Sequence, residues 1–249
     1  MSITTLLMTS ILIFVALGIS KSQKIHLEKE MVIGIIRAIV QLSLIGLVLT
    51  YIFEIDNRIV TTVILMLMVY NASRVATKRG KNKEELKKVA FFSIFAGTAI
   101  PMSVLIITGA IEYVPSQVIP VSGMVIGNAM VALGLTFKQL HDNFTSNFYE
   151  IEIKLALGAT ERVASIHLIR DSIRTGMQPI VDSMQTLGIV QLPGMMTGLI
   201  LAGQSPVLAI KYQIMVTFML LSAVAITTSI GAFATYRKYF TEEKQVKRI

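Results

Sequence analysis

Apolar positions along this chain fall into seven blocks, and the polar connections between them alternate between nearly neutral and strongly basic. The blocks cover 3–20, 31–53, 59–76, 89–111, 118–137, 180–202 and 212–236. A hydrocarbon core about 30 Å thick takes about twenty residues of helix, each rising about 1.5 Å. Each block is therefore read as one membrane-crossing helix, and too little sequence remains for a separate soluble core. The predicted fold is all-α, a polytopic membrane protein of seven transmembrane helices forming a single domain over 1–249. The first block has no basic segment ahead of it and no small-x-small cleavage site, so it is read as a retained span.

Charge fixes the expected orientation. With the N-terminus outside, connections 21–30, 77–88 and 138–179 and the tail after 236 lie inside. Counting Arg74 at its membrane boundary, these segments hold every Lys and Arg except Arg37, within the second block, and Arg58 and Lys211 outside. Such asymmetry is the positive-inside signature, and it puts the C-terminus in the cytoplasm. The net charge of +8 follows from topology and from contact with anionic lipid headgroups, and no nucleic-acid partner is expected. The lack of cysteine excludes disulfides, thiolate metal sites and a cysteine nucleophile.

Connection 138–179 is long enough to hold structure of its own. An amphipathic helix is expected over 144–157, stopped by Gly158, which readily takes a left-handed conformation. Thr160 can cap a second helix. There Val163, Ile166, Ile169, Ile173 and Met177 recur at spacings of three and four, forming one apolar stripe. This helix–Gly–helix element suits docking to a soluble partner, or equally an interfacial helix on lipid headgroups. The segment from Glu152 to Gly158 resembles the Glu-Ala-Ala-x3-Gly coupling motif of ABC-transporter permeases, which inserts into the ATPase subunit. Ile153 and Lys154 stand in place of its two alanines, and Leu168, Arg170 and Asp171 in place of its later Ile, Leu and Pro.

Polar residues inside apolar blocks need a reason, because a charge at mid-membrane costs about 2.5–3.5 kcal/mol on insertion scales. Asp182, three residues after Pro179, is either an ion-contacting or coupling acid or an acid at a helix N-terminus. Asn71 and Asn128 either hold helices together or offer carbonyl oxygens to a cation. Glu112 could collect or release a cation on the outer side, or be an ordinary loop acid. Gly123-x3-Gly127 and Gly194-x3-Gly198 have the spacing of close helix packing, within a subunit or across a dimer. Pro193 and Gly194 predict a broken sixth helix, and Pro115 and Pro120 a break at the mouth of the fifth, exposing carbonyls that can coordinate cations. Met195 and Met196 lie beside the first break, as flexible packing or as soft-ion ligands.

Longer segments carry a family resemblance: RAIVQL at 37–42, VIPVSGMVIGNAM at 118–130, LALGAT at 155–160, LIRDSIR at 168–174, LPGMMTGLI at 192–200 and AIKYQIMVTFM at 209–219. Through them the chain closely resembles the FetB-type permeases, ABC-class iron exporters with plant relatives linked to aluminium tolerance. The resemblance implies a homodimeric permease working with two copies of a separate ATPase subunit, which would use ATP and Mg. No Gly-x4-Gly-Lys-Ser/Thr phosphate loop occurs in this chain, so it is not expected to be an enzyme itself. Glu152, Gly158, Thr160, Arg170, Asp171 and Arg174 are the expected coupling residues. Asn71, Glu112, Asn128, Asp182, Met195 and Met196 are the expected substrate path. The expected cargo is a metal ion, foremost iron. The rival readings are an ion-coupled secondary transporter or channel, a permease for another substrate such as a nucleotide sugar, and a membrane scaffold that transports nothing.

Overall fold

A computed structural model describes residues 8–79 and 83–247. The chain divides into two compact units, Met1–Asp56 and Asn57–Ile249. The first carries α1 (Ile11–Ser22) and α2 (Glu28–Ile55). Between them, the buried Ser20 hydroxyl donates to Glu28 Oε1 at 2.8 Å and accepts from the Leu27 amide at 3.4 Å. These bonds tie the turn to the start of α2, a helix long and apolar enough to cross a membrane.

The second unit holds α3 (Arg58–Ala76), a 3-10 turn (Thr77–Arg79), α4 (Lys83–Ile107), α5 (Pro115–Ser146), α6 (Phe148–Ala156), α7 (Glu161–Thr186), α8 (Gly194–Leu201), α9 (Pro206–Thr235) and a last 3-10 turn (Tyr236–Tyr239). Its starts follow local chemistry. Asn57 Oδ1 caps α3 by accepting from the Ile59 amide at 2.8 Å, and Ser205 Oγ caps α9 by accepting from Leu208 at 3.3 Å. Pro115 and Pro206 sit in the first turns, where the missing N–H has no helical partner to lose.

Core contacts give the helix directions. Val118 and Val125 pack with Val216, Met219 and Ala223, whereas further along Leu140 and Phe144 pack with Ala232 and Tyr236. Helices α5 and α9 therefore run parallel. Asn143 meets Leu168 and Asp171, and Gly176 meets Ala132 and Thr136, so α7 runs antiparallel to α5. The packing gathers α6, the start of α7 and the C-terminal turn at one end of the bundle. The turns 108–114 and 187–205 lie at the other.

Five helices among the described residues are long and apolar enough to cross a membrane: Glu28–Ile55, Arg58–Ala76, Leu86–Ile107, Pro115–Ser146 and Pro206–Tyr239. Seven were expected. The opening residues of the first expected span, 3–7, lie outside the described residues, as do Lys81 and the last two residues of the tail. The sixth expected span is not one helix. Helix α7 stops at Thr186, the chain turns through 187–193, and α8 adds only eight residues. The break expected from Pro193 and Gly194 is therefore present. The break expected at Pro115 and Pro120 is absent, because α5 begins at Pro115 and runs unbroken through Pro120. Connection 138–179 holds the expected helix–Gly–helix, but α5 continues to Ser146, the first helix covers Phe148–Ala156 rather than 144–157, and α7 runs on through Pro179.

Candidate functional site

The elbow between α6 and α7 is fixed by its sequence. Gly158 takes φ +89°, closing α6 as the Ala159 amide reaches back to Lys154 O and the Gly158 amide to Leu155 O. Thr160 Oγ1 accepts from the Val163 amide at 3.4 Å and starts α7. Helix α6 then has two apolar faces. Ile151 is fully buried in the bundle-end core, whereas Tyr149, Ile153 and Leu157, spaced four apart, are 72%, 61% and 82% exposed. Glu150 lies between Lys154 on α6 and His167 Nε2 on α7, 3.4 Å away. The Lys154 hydrogen bond and charge hold the Glu150 carboxyl below its ordinary value.

Three expected coupling residues, Glu152, Gly158 and Thr160, share a groove of about 760 Å³ with Glu161 and the C-terminal residues Glu243 and Val246. Arg170, Asp171 and Arg174 are exposed along α7. Asp171 joins α7 to α5: Asn143 Nδ2 donates to Asp171 Oδ2 at 3.0 Å, and Gln139 Nε2 donates to the same oxygen at 3.4 Å. The apolar stripe of α7 differs by one position from the sequence reading. Val163 is 61% exposed, and the buried face carries Ala164, Ser165, Leu168, Ile169, Ser172 and Gly176. Small residues win that face because the neighbouring backbones come very close.

Towards the other end, the break after α7 opens a cavity of about 360 Å³. Asn128 and Met195 line it as expected path residues, joined by Met124, Met184, Gln213 and Thr217. Asn128 and Gln213 lie about 20 Å and 10 Å along α5 and α9 from their first residues, at a rise of about 1.5 Å per residue. Asn128 Nδ2 donates to Met124 O at 2.9 Å, which leaves its side-chain carbonyl oxygen as an acceptor. Gln213 Oε1 is buried and has no hydrogen-bond partner. A buried acceptor left unpaired costs about 1–3 kcal/mol. Gln213, an amide inside the last apolar block, is not among the path residues expected from sequence. Among the described residues no Asp, Glu, Lys, Arg or His lines this cavity, and no three or more His, Asp or Glu cluster to hold a metal.

The remaining expected path residues are not brought to it. Asn71 is exposed on α3, and Glu112 is exposed in the turn before α5. Met196 follows Met195 but does not line the cavity. Asp182 is no N-terminal acid: it lies in the last turns of α7, exposed, with Gln178 Nε2 donating to its Oδ1 at 2.6 Å. Gly97, Gly176 and Gly231 are in close contact with neighbouring helices. Gly123 meets only the Met68 methyl, and Gly127, Gly194 and Gly198 face open space within the chain.

With the helix order, the elbow and the cavity in view, comparison with known proteins adds a family. The model of the uncharacterised protein family UPF0014 matches residues 3–240. The chain belongs to this family. Among UPF0014 relatives it is 46% identical over 242 residues to the "Probable iron export permease protein FetB" of Escherichia coli, covering 97% of this chain and 93% of that one. It is 35% identical over 237 residues to "Protein ALUMINUM SENSITIVE 3" of Arabidopsis thaliana, covering 95% and 87%. It is 36% identical over 226 residues to the "UPF0014 membrane protein STAR2" of Oryza sativa, covering 91% and 79%. No solved structure matches the chain. The chain is therefore a UPF0014 protein with long apolar helices, similar to proteins named as a permease and as membrane proteins.

Proposed function

We propose that this chain is the membrane subunit of an ATP-driven metal exporter, with iron as cargo, working as a homodimer on two copies of a separate ATPase subunit. One observation carries the mechanism: α5 and α7 each run from the elbow to the cavity, and Asn143 and Asp171 tie them together between. A force on the elbow therefore has a stiff route to the cavity wall. The exposed apolar row Tyr149, Ile153 and Leu157, next to a rigid Gly158 turn, suits insertion into a cleft on a soluble partner. The name of the Escherichia coli relative supports export and iron. The basic residues at the elbow end support a cytosolic elbow and C-terminus, with the N-terminus outside. ATP and Mg act in the partner, whose closure tilts α5 and α7 and turns the cavity from one face of the bilayer to the other.

The test is reconstitution with the cognate ATPase in liposomes, measuring ATP-dependent flux across a panel of metals and nucleotide sugars. ATP-dependent iron movement that Leu157→Asp abolishes, together with ATPase association, supports the reading. Flux driven by an ion gradient without ATP overturns it in favour of a secondary transporter or channel.

A further inference from the structure

We propose that the cavity at the α7–α8 break is a cation site built from neutral donors, that Gln213 supplies its central oxygen, and that it takes ferrous rather than ferric iron. The identity of the ion rests on the export reading above, which this inference deepens. The donors come from four helices, α5, α7, α8 and α9, gathered around the break between α7 and α8. Gln213 Oε1 on α9 is buried without a partner. Asn128 on α5 has spent its amide N–H on Met124 O, so its carbonyl oxygen remains. Met124, Met184 and Met195 add thioethers from α5, α7 and α8. The Thr217 hydroxyl donates to Gln213 O at 2.8 Å, holding the turn of α9 that carries the amide.

What this set lacks decides the valence. Among the described residues no carboxylate lines the cavity, so no anionic ligand among them offsets the charge of an entering ion. The cost of moving an ion out of water rises steeply with its charge, and a trivalent ion bound only by neutral groups is the least favoured. Hard ions such as ferric iron, aluminium and magnesium also demand oxygen ligands, whereas thioethers favour softer, lower-charged transition-metal ions. Amide oxygens and thioethers together suit a divalent borderline ion. Neutral ligands also let the ion leave, as a transport site requires.

The experiment uses the full chain in nanodiscs without any ATPase, titrated anaerobically with ferrous iron and separately with ferric citrate and magnesium. Expected is saturable ferrous binding with the other two at least about tenfold weaker. Gln213→Leu should weaken ferrous binding by about tenfold or more, with the elution profile and unfolding temperature of the wild type. Iron-edge X-ray absorption should show a sulfur neighbour that disappears when Met124, Met184 and Met195 are all changed to Leu. Ferric iron or magnesium binding as tightly as ferrous iron overturns the proposal. So does an unaltered ferrous affinity in a folded Gln213→Leu protein. Failure of the export reading looks different: ferrous binding and its Gln213 dependence persist, while the wild-type complex moves no iron with ATP.

Discussion

Asn143 on α5 donates its side-chain amide to Asp171 Oδ2 on α7 at 3.0 Å, and the same nitrogen reaches Leu168 O and Ser172 Oγ, each at 3.2 Å. Three acceptors on one helix converge on a single donor group of the other. Asn143→Leu removes this shared donor from a partly buried seam, leaving Asp171 Oδ2 only the longer Gln139 bond and Leu168 O the Ser172 hydroxyl, at a cost of about 1–3 kcal/mol. Asp171→Asn keeps the shape and loses only the charge assistance, so it should cost less. Thermal unfolding in detergent measures the difference. If the clamp transmits force, Asn143→Leu should also lower iron-stimulated ATP turnover while the ATPase still binds.

Glycine positions give a second contrast. A Cβ on Gly176 would lie 2.0 Å from Thr136 Oγ1 and 2.8 Å from the Ala132 carbonyl, so backbone must move to admit it. Gly176→Ala is expected to destabilise by about 1–3 kcal/mol. A Cβ on Gly127 meets nothing within 4 Å in the chain, and Gly127→Ala should change unfolding by no more than about 0.5 kcal/mol. Any larger effect of Gly127→Ala should appear as a change in dimerisation, read by cross-linking or mass photometry.

Hydropathy made most of the helices readable, because a long helix in lipid needs an unbroken apolar run and little else. The interruption after α7 was readable too, since Pro193 and Gly194 together disfavour a continuous helix, and in the fold Pro193 precedes the first residue of α8. Pro179 misled for the opposite reason. It costs α7 one hydrogen bond, and packing of Leu168, Ile169, Ser172 and Gly176 just before it outweighs that loss. The packing glycines were hidden because close approach depends on which helices meet. Gly97 faces Thr227, Gly176 faces Thr136, and Gly231 faces Leu133, all distant in sequence. The cavity was half legible: Asn128 and Met195 stood out by type, while Met184 and Gln213 needed the break and the parallel run of α5 and α9 to bring them there.

The elbow has its own acid dependence. The Lys154 hydrogen bond and charge hold the Glu150 carboxyl below its ordinary value of 4.5, so the charged form is favoured in the folded elbow. Its contribution is present above pH 4.5 and is lost as pH falls through the lower folded value. Relative to an unstructured peptide at the same pH, protection of the α6 amides from hydrogen exchange should fall as pH drops below the ordinary carboxylate range, and Glu150→Gln should show that lower protection at every pH.

The C-terminal residues are structural, which the polar composition of the tail concealed. Phe240 and Val246 are 5% and 6% exposed, paired across a turn in which the Thr241 amide donates to Gln245 O at 2.8 Å. Phe144 stacks on Tyr239 at 4.4 Å and meets Phe240 edge-on at 5.7 Å, in the same core as Ile151 and Leu168. Phe240→Ala removes a ring from beneath the elbow and is expected to cost about 3 kcal/mol, the lower part of the range for a buried phenylalanine. Because that core supports α6, the loss should first appear as faster exchange and protease cleavage near Gly158, before the spans unfold. Glu243→Ala, at the exposed turn of the same segment, should leave stability within about 0.5 kcal/mol. If it instead weakens ATPase binding, the groove shared by Glu152, Glu161 and Glu243 is part of the docking surface.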